Sequence, residues 1–128
     1  MRGKVGTAVT AVVAVLLGAF VTADAASVRV RCETRGDRSK ISVDGNDLAP
    51  GSYTATVKSP ASAASGVTAP AKTAVGDEVE FDFDSNANDV AAGATQISQS
   101  FIQGNTVRGE IVGGGVSVSG TATCRVKN

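Results

Sequence analysis

The chain contains no histidine and no tryptophan, its single methionine is Met1, and it has two cysteines, Cys32 and Cys124. Without His, neither a Ser–His nor a Cys–His nucleophile pair can be assembled, and the usual imidazole ligands of zinc and copper centres are missing. Without Trp there is no indole platform on which a sugar ring could stack. Rings are scarce too: beyond residue 25 the aromatic residues are Tyr53, Phe81, Phe83 and Phe101. The core must therefore be built mainly from Val, Ile and Ala, which suits a thin β architecture of modest burial. Charge of one sign is also not in excess. Twelve basic residues balance 12 acidic ones, so the chain has no overall field for nucleic acid or an anionic membrane, and neither is expected as a partner. The one glycine run, Gly113-Gly114-Gly115, lacks the following Lys-Ser/Thr of a nucleotide loop and reads as a hairpin turn.

What is present begins with an export pattern. Met1-Arg2-Gly3-Lys4 is a basic head, Val5–Ala23 is an uncharged run rich in Ala and Val, and Ala23-Asp24-Ala25 offers small residues for a signal peptidase. Gly6, Thr7, Thr10, Gly18 and Thr22 dilute the run, which favours a removable helix over a membrane anchor. The expectation is a signal peptide at 1–25 and one mature domain at 26–128. The protein would be exported to the periplasm or the extracellular medium, without stable membrane insertion once the signal is removed.

The mature sequence alternates. In Ser27–Glu33, residues Val28, Val30 and Cys32 share one parity and Arg29 and Arg31 the other. Near the opposite end Val116, Val118, Ala122, Cys124 and Val126 also share a parity. Each segment reads as a strand with a cysteine on its apolar face, so a Cys32–Cys124 disulfide joining the first and last strands is expected in an oxidising compartment. Between them Ile41 and Val43, then Tyr53, Ala55 and Val57, then Val79, Phe81 and Phe83, then Ile111 mark further inward faces. Val67–Val75, broken at Pro70, suits an edge. Ser85–Gly93 reads as a polar loop, and Ala94–Ile102 as a strand burying Ile97 and Phe101. Turn clusters separate these runs every eight to twelve residues or so, and no helix is expected after the signal.

One stretch carries a resemblance. Leu48-Ala49-Pro50-Gly51-Ser52-Tyr53-Thr54-Ala55-Thr56-Val57 resembles the Leu-x-Pro-Gly-x-Tyr-x-x-x-Val pattern of fibronectin-type-III-like and other immunoglobulin-like bacterial domains. In physical terms Leu48 plugs the end of a sandwich, Pro50-Gly51 turns the chain, and a buried Tyr53 sends its hydroxyl to nearby backbone. The expected class is thus all-β: a single immunoglobulin-like antiparallel β-sandwich of seven to eight strands following the N-terminal signal helix. The resemblance speaks to fold and implies no catalytic residue.

Candidate sites are few. Asp77, Glu78, Glu80, Asp82, Asp84 and Asp89 form an acidic run, while Arg29, Arg31, Arg35, Arg38 and Lys40 crowd the start of the mature chain. Asp82, Asp84, Asn86 and Asp89 place oxygens as the first half of an EF-hand loop does, but Ala87 and Gly93 stand where that loop needs Gly and a bidentate Glu. A looser calcium site is what they could still form, and calcium is the one cofactor the sequence suggests. Arg35-Gly36-Asp37 resembles the integrin-recognition tripeptide of adhesive proteins, and its composition equally suits a tight turn. No catalytic residues are identified. The expectation is a non-enzymatic structural or protein-interaction module with an unidentified protein or cell-surface partner. Alternatives are a calcium-dependent binding domain, a loop-based enzyme inhibitor using Thr34–Ser39 or Ser59–Gly66, or an enzyme of unrecognised type.

Overall fold

A computed structural model describes residues 25–128; apart from Ala25, the expected signal segment lies outside the described residues. The strands are β1 (Ser27–Arg35), β2 (Arg38–Asn46), β3 (Ser52–Lys58), β4 (Val67–Thr68), β5 (Lys72–Thr73) and β6 (Val79–Asp84). After a short helix, α1 (Ala87–Ala91), come β7 (Thr95–Gln96), β8 (Thr106–Gly113), β9 (Val116–Thr123) and β10 (Arg125–Lys127). They form two sheets, one in the order β10-β1-β2-β6-β7 and the other β4-β3-β8-β9, with β5 also on β3. The all-β sandwich is thus as expected.

Alternation explains the core. Ile41 and Val43 of β2, Tyr53, Ala55 and Val57 of β3, Val79, Phe81 and Phe83 of β6, and Val107 and Ile111 of β8 are all buried. Every second residue of these strands enters the space between the sheets, while its neighbours lie on the outer faces, where Asp84 of β6 is nonetheless buried. Glycine lets the sheets close at one point: a Cβ on Gly109 would stand 3.0 Å from methyls of both Val30 and Val43. Val28, Val30, Val116 and Val118 share the inward parity but are only half-buried, because β1 and β9 lie where the sandwich ends.

The physical roles expected of Leu48 and Tyr53 are met. Leu48 is buried and its N–H donates to the Asp77 carbonyl at 2.9 Å. The buried Tyr53 hydroxyl donates to the Ala49 carbonyl at 2.6 Å, tying the strand to the turn before it. Tyr53→Phe should lower stability by about 1 kcal/mol, the usual net worth of one such bond. A urea titration checks this: the midpoint should fall with an unchanged slope, and an unmoved midpoint means the hydroxyl does no structural work.

Several details differ from the sequence reading. Among the described residues there are ten strand segments, of which β4, β5, β7 and β10 have two or three residues. The pairings are not all antiparallel, since β10 runs parallel to β1 and β7 parallel to β6. The polar loop after β6 contains α1, whose N-terminus is capped by the Asn86 side chain. Five residues with no buried member leave no periodic signal to read. Only Thr95–Gln96 of the Ala94–Ile102 segment is strand. A turn from Ser98 to Phe101 then lets Ile97 and Phe101 both reach the core. Val126, expected in the core, is 58% exposed. After Cys124 the chain leaves the second sheet and joins the edge of the first, so the parity of β9 does not carry through.

Cys32 and Cys124 form the expected disulfide, with a Cα–Cα distance of 4.6 Å. Cys32 lies in β1, and Cys124 lies in the crossover between β9 and β10. The bond therefore pins the place where the chain changes sheets. Among the described residues, no helix is long and apolar enough to cross a membrane.

Candidate interaction surfaces

The outward parity of β1, β2 and β6 builds one charged face. Antiparallel register aligns Arg29, Asp44 and Glu80 in one row, Arg31, Ser42 and Asp82 in the next, and Glu33, Lys40 and Asp84 in the third. Strands are about 4.8 Å apart, so the arginines of β1 and the carboxylates of β6 stand roughly 10 Å from each other across β2. Short contacts lace the rows. Arg31 Nη2 lies 2.9 Å from Asp44 Oδ2, Ser42 Oγ donates to Asp82 Oδ1 at 3.0 Å, and Lys127 Nζ lies 3.6 Å from Glu33 Oε1. An open groove of about 870 Å³ crosses this region, lined by Arg29 and Arg31 of β1, Lys40 of β2, Glu80 and Asp82 of β6, and Lys72, whose Nζ donates to the Glu80 carbonyl at 2.8 Å.

At the corner of the face the acidic candidates meet a base. Asp84 is buried at 2% exposure and is held bidentately: Arg38 Nε donates to its Oδ1 at 3.0 Å and Nη2 to its Oδ2 at 2.7 Å. The same Nη2 also donates to Asp89 Oδ2. Asp84 Oδ1 further accepts the Asn86 N–H at 2.9 Å, while Asn86 Oδ1 accepts the N–H groups of Asn88 and Asp89. Burial pushes the Asp84 carboxyl upward, but the Arg38 hydrogen bonds, the Asn86 N–H and the charges of Arg38 and Lys40 outweigh it. The net shift is downward. Arg38 is in turn held above its usual value, first by its hydrogen bond to Asp84.

Of the four calcium candidates, the structure brings Asp84 and Asp89 together, on a guanidinium. Asn86 spends its side-chain oxygen on the α1 cap, and Asp82 is engaged by Ser42 on the open face. Among the described residues, no group of three or more His, Cys, Asp or Glu side chains is placed to hold a metal ion. Arg38 is the residue that sequence reasoning missed in this role. It lies 46 positions from Asp84, and only the β2–β6 register puts them side by side.

Arg35-Gly36-Asp37 lies at the tip of the β1–β2 hairpin. Arg35 pairs with Arg38 across a two-residue turn, and Gly36 at φ +54° takes the left-handed conformation that such a turn asks of its first residue. Arg35 and Asp37 are exposed, and they border a second open groove with Asn86, Gln99 and Lys127. Of the two loops thought able to project, the Ser59–Gly66 loop is anchored at its start. The buried Ser59 hydroxyl accepts the Gln103 N–H at 2.8 Å and lies within reach of the Gln103 and Thr106 carbonyls.

Comparison of the chain with protein-family models, with curated proteins and with solved structures found no match.

Proposed function

We propose that the protein is an exported, non-enzymatic, immunoglobulin-like β-sandwich that binds another protein or a cell surface through the outer face of its first sheet. The observation that carries this reading is the separation of charge on that face, with Arg29 and Arg31 on β1 opposite Glu80 and Asp82 on β6. Two lines of opposite sign, roughly 10 Å apart on either side of β2, form a pattern that a partner of complementary charge can recognise, with orientation set by the two lines. The immunoglobulin-like assignment is supported by the sheet pattern. Read as successive strands, β1-β2-β6 and β3-β8-β9 correspond to the A-B-E and C-F-G sheets of such folds. Export is supported by the N-terminal sequence pattern and by a disulfide that an oxidising compartment would preserve.

The test uses the mature chain, residues 26–128, labelled and applied to intact cells of the organism that makes it. Binding should fall at least about tenfold between low salt and about 0.5 M salt. It should fall similarly in an Arg29→Glu, Arg31→Glu variant whose melting temperature stays near that of the parent. Binding indifferent to both changes, or no binding at low salt, removes this face as the site.

A further inference from the structure

A strand at the margin of a sheet presents unpaired N–H and C=O groups, and most margins of this sandwich are blunted. The first sheet ends in β10, three residues carrying Arg125 and Lys127, and in β7, two residues. One side of the second sheet ends in the two-residue strands β4 and β5, separated by a stretch containing Pro70. β10 covers only Glu33–Arg35 of β1 and β7 only Phe83 and Asp84 of β6, which leaves the charge-bearing stretches 27–32 and 79–82 beside them. The longest uncovered margin among the described residues is β9, Val-Ser-Val-Ser-Gly-Thr-Ala-Thr, eight residues with no charge and no proline. Among the described residues, β9 pairs only with β8.

The phase of that pairing identifies the open groups. Cys124 N–H donates to the Asn105 carbonyl at 2.7 Å, continuing the register in which Thr123 lies opposite Thr106. Hydrogen-bonded and non-hydrogen-bonded pairs alternate along an antiparallel ladder, so the even-numbered residues of β9 bond to β8. Ser117, Ser119, Thr121 and Thr123 turn their N–H and C=O groups outward.

We propose that β9 pairs antiparallel with β9 of a second copy of this chain, making a two-fold dimer whose second sheets run on as one. A register centred on Gly120 sets Ser117 opposite Thr123 and Ser119 opposite Thr121 of the other copy. All four outward residues are then used, in about eight hydrogen bonds. The charges beside the seam match only in that register. Arg108 lies opposite Thr121, and Glu110 opposite Ser119, across β8 and β9. Centring on Gly120 therefore ends one row in Arg108 and continues it to Glu110 of the second copy, with small Ser and Thr side chains between. The strands β8 of the two copies are about 14 Å apart, a gap that an extended Arg and Glu span together over the low residues. A shift of the axis to Ser119 would instead set Glu110 in line with Glu110. On the inward side the same register places half-buried Val118 beside Ala122 of the other copy, and glycine on the axis leaves the closest approach free of side chains. The surface is self-complementary, as a two-fold interface requires, and at its Thr123 end it meets the groove beside β1, which Ala122 and Thr123 help to line.

Sedimentation equilibrium on the mature chain tests this. The parent should form a reversible dimer of moderate affinity, as suits a small interface. Glu110→Arg sets base against base in both symmetric rows and should raise the dissociation constant at least about tenfold. Adding Arg108→Glu exchanges the two charges and should restore the parent value to within about threefold, which a merely damaged fold would not do. Thr121→Pro removes an outward N–H without touching the β8 ladder and should leave a folded monomer, checked by circular dichroism. A parent that remains monomeric at about 0.5 mM overturns the proposal, as does a charge exchange that fails to restore pairing.

Discussion

Replacing Cys32 and Cys124 together by alanine should lower the free energy of unfolding by about 4 to 5 kcal/mol. The bond closes a loop with a sequence separation of 92 residues, and in the chain-entropy account a closed loop of this length removes that much disorder from the unfolded state. The folded side has a stake as well. β1 and β9 belong to different sheets and share no backbone ladder, so the disulfide is the covalent tie across this open margin. A domain of about 100 residues with few aromatic rings has total stability on the order of 5 to 15 kcal/mol, so the variant should be marginal at 37 °C. Guanidinium unfolding of parent and double variant is the measurement. A midpoint lowered by an amount worth less than about 1 kcal/mol would show that the unfolded chain is already restricted near these ends. The parent isolated without reductant should weigh two hydrogens less than the reduced chain, and two free thiols would contradict the bond.

The second large effect is expected at the corner of the charged face. Arg38→Ala should destabilise the fold by about 3 to 5 kcal/mol, because it strands the carboxylate of Asp84 in a site that is 2% exposed with the Asn86 N–H as its remaining partner. Arg38→Lys should recover only part of this, since an ammonium cannot present the two parallel donors that now grip both carboxylate oxygens. Removing both charges, as Arg38→Met with Asp84→Leu, should restore most of the loss. A single Arg38→Ala costing no more than the double replacement would sink the account. The same corner sets an acid limit. Asp84 titrates below its ordinary value in the folded protein, so the stability it contributes is fully present above the unfolded carboxyl value of about 3.9. That contribution is lost as pH falls further, through the lowered folded value. In Arg38→Ala the acid-dependent loss should shrink or reverse, because desolvation then acts on Asp84 without the guanidinium to oppose it and protonation relieves the stranded charge.

How much of this could be read from residues alone differs from feature to feature. Alternation in Glu78–Asp84 placed Val79, Phe81 and Phe83 inside and the four carboxylates outside, which holds for Glu78, Glu80 and Asp82 but not for Asp84, buried under Arg38. The Leu48–Val57 stretch foretold both the plug at Leu48 and the hydroxyl bond of Tyr53. The matching parity of Val28, Val30 and Cys32 with Val116, Val118, Ala122, Cys124 and Val126, taken with the export pattern, pointed to the cysteine pair, which forms although Cys124 lies in the crossover and Val126 faces water. Such readings succeed because each depends on which side of its own strand a residue occupies, and the two-residue period of a strand settles that locally.

Other features depend on which strand lies beside which, and local periodicity is silent there. Arg38 meets Asp84 and Asp89 through the β2–β6 register and the turn of α1. The two charge blocks, separate in the chain, come onto one face, opposite each other across β2, only when β2 pairs with both β1 and β6. Val126 keeps the parity of β9 in sequence, yet faces water, because the crossover at Cys124 carries it into the other sheet. That β9 is the long margin left open follows from the order β4-β3-β8-β9. Composition and alternation thus determined the fold class, the inward faces and the disulfide. The charged face, its buried ion-pair corner and the open edge were decided by strand order and register, which arise from long-range packing between segments tens of residues apart.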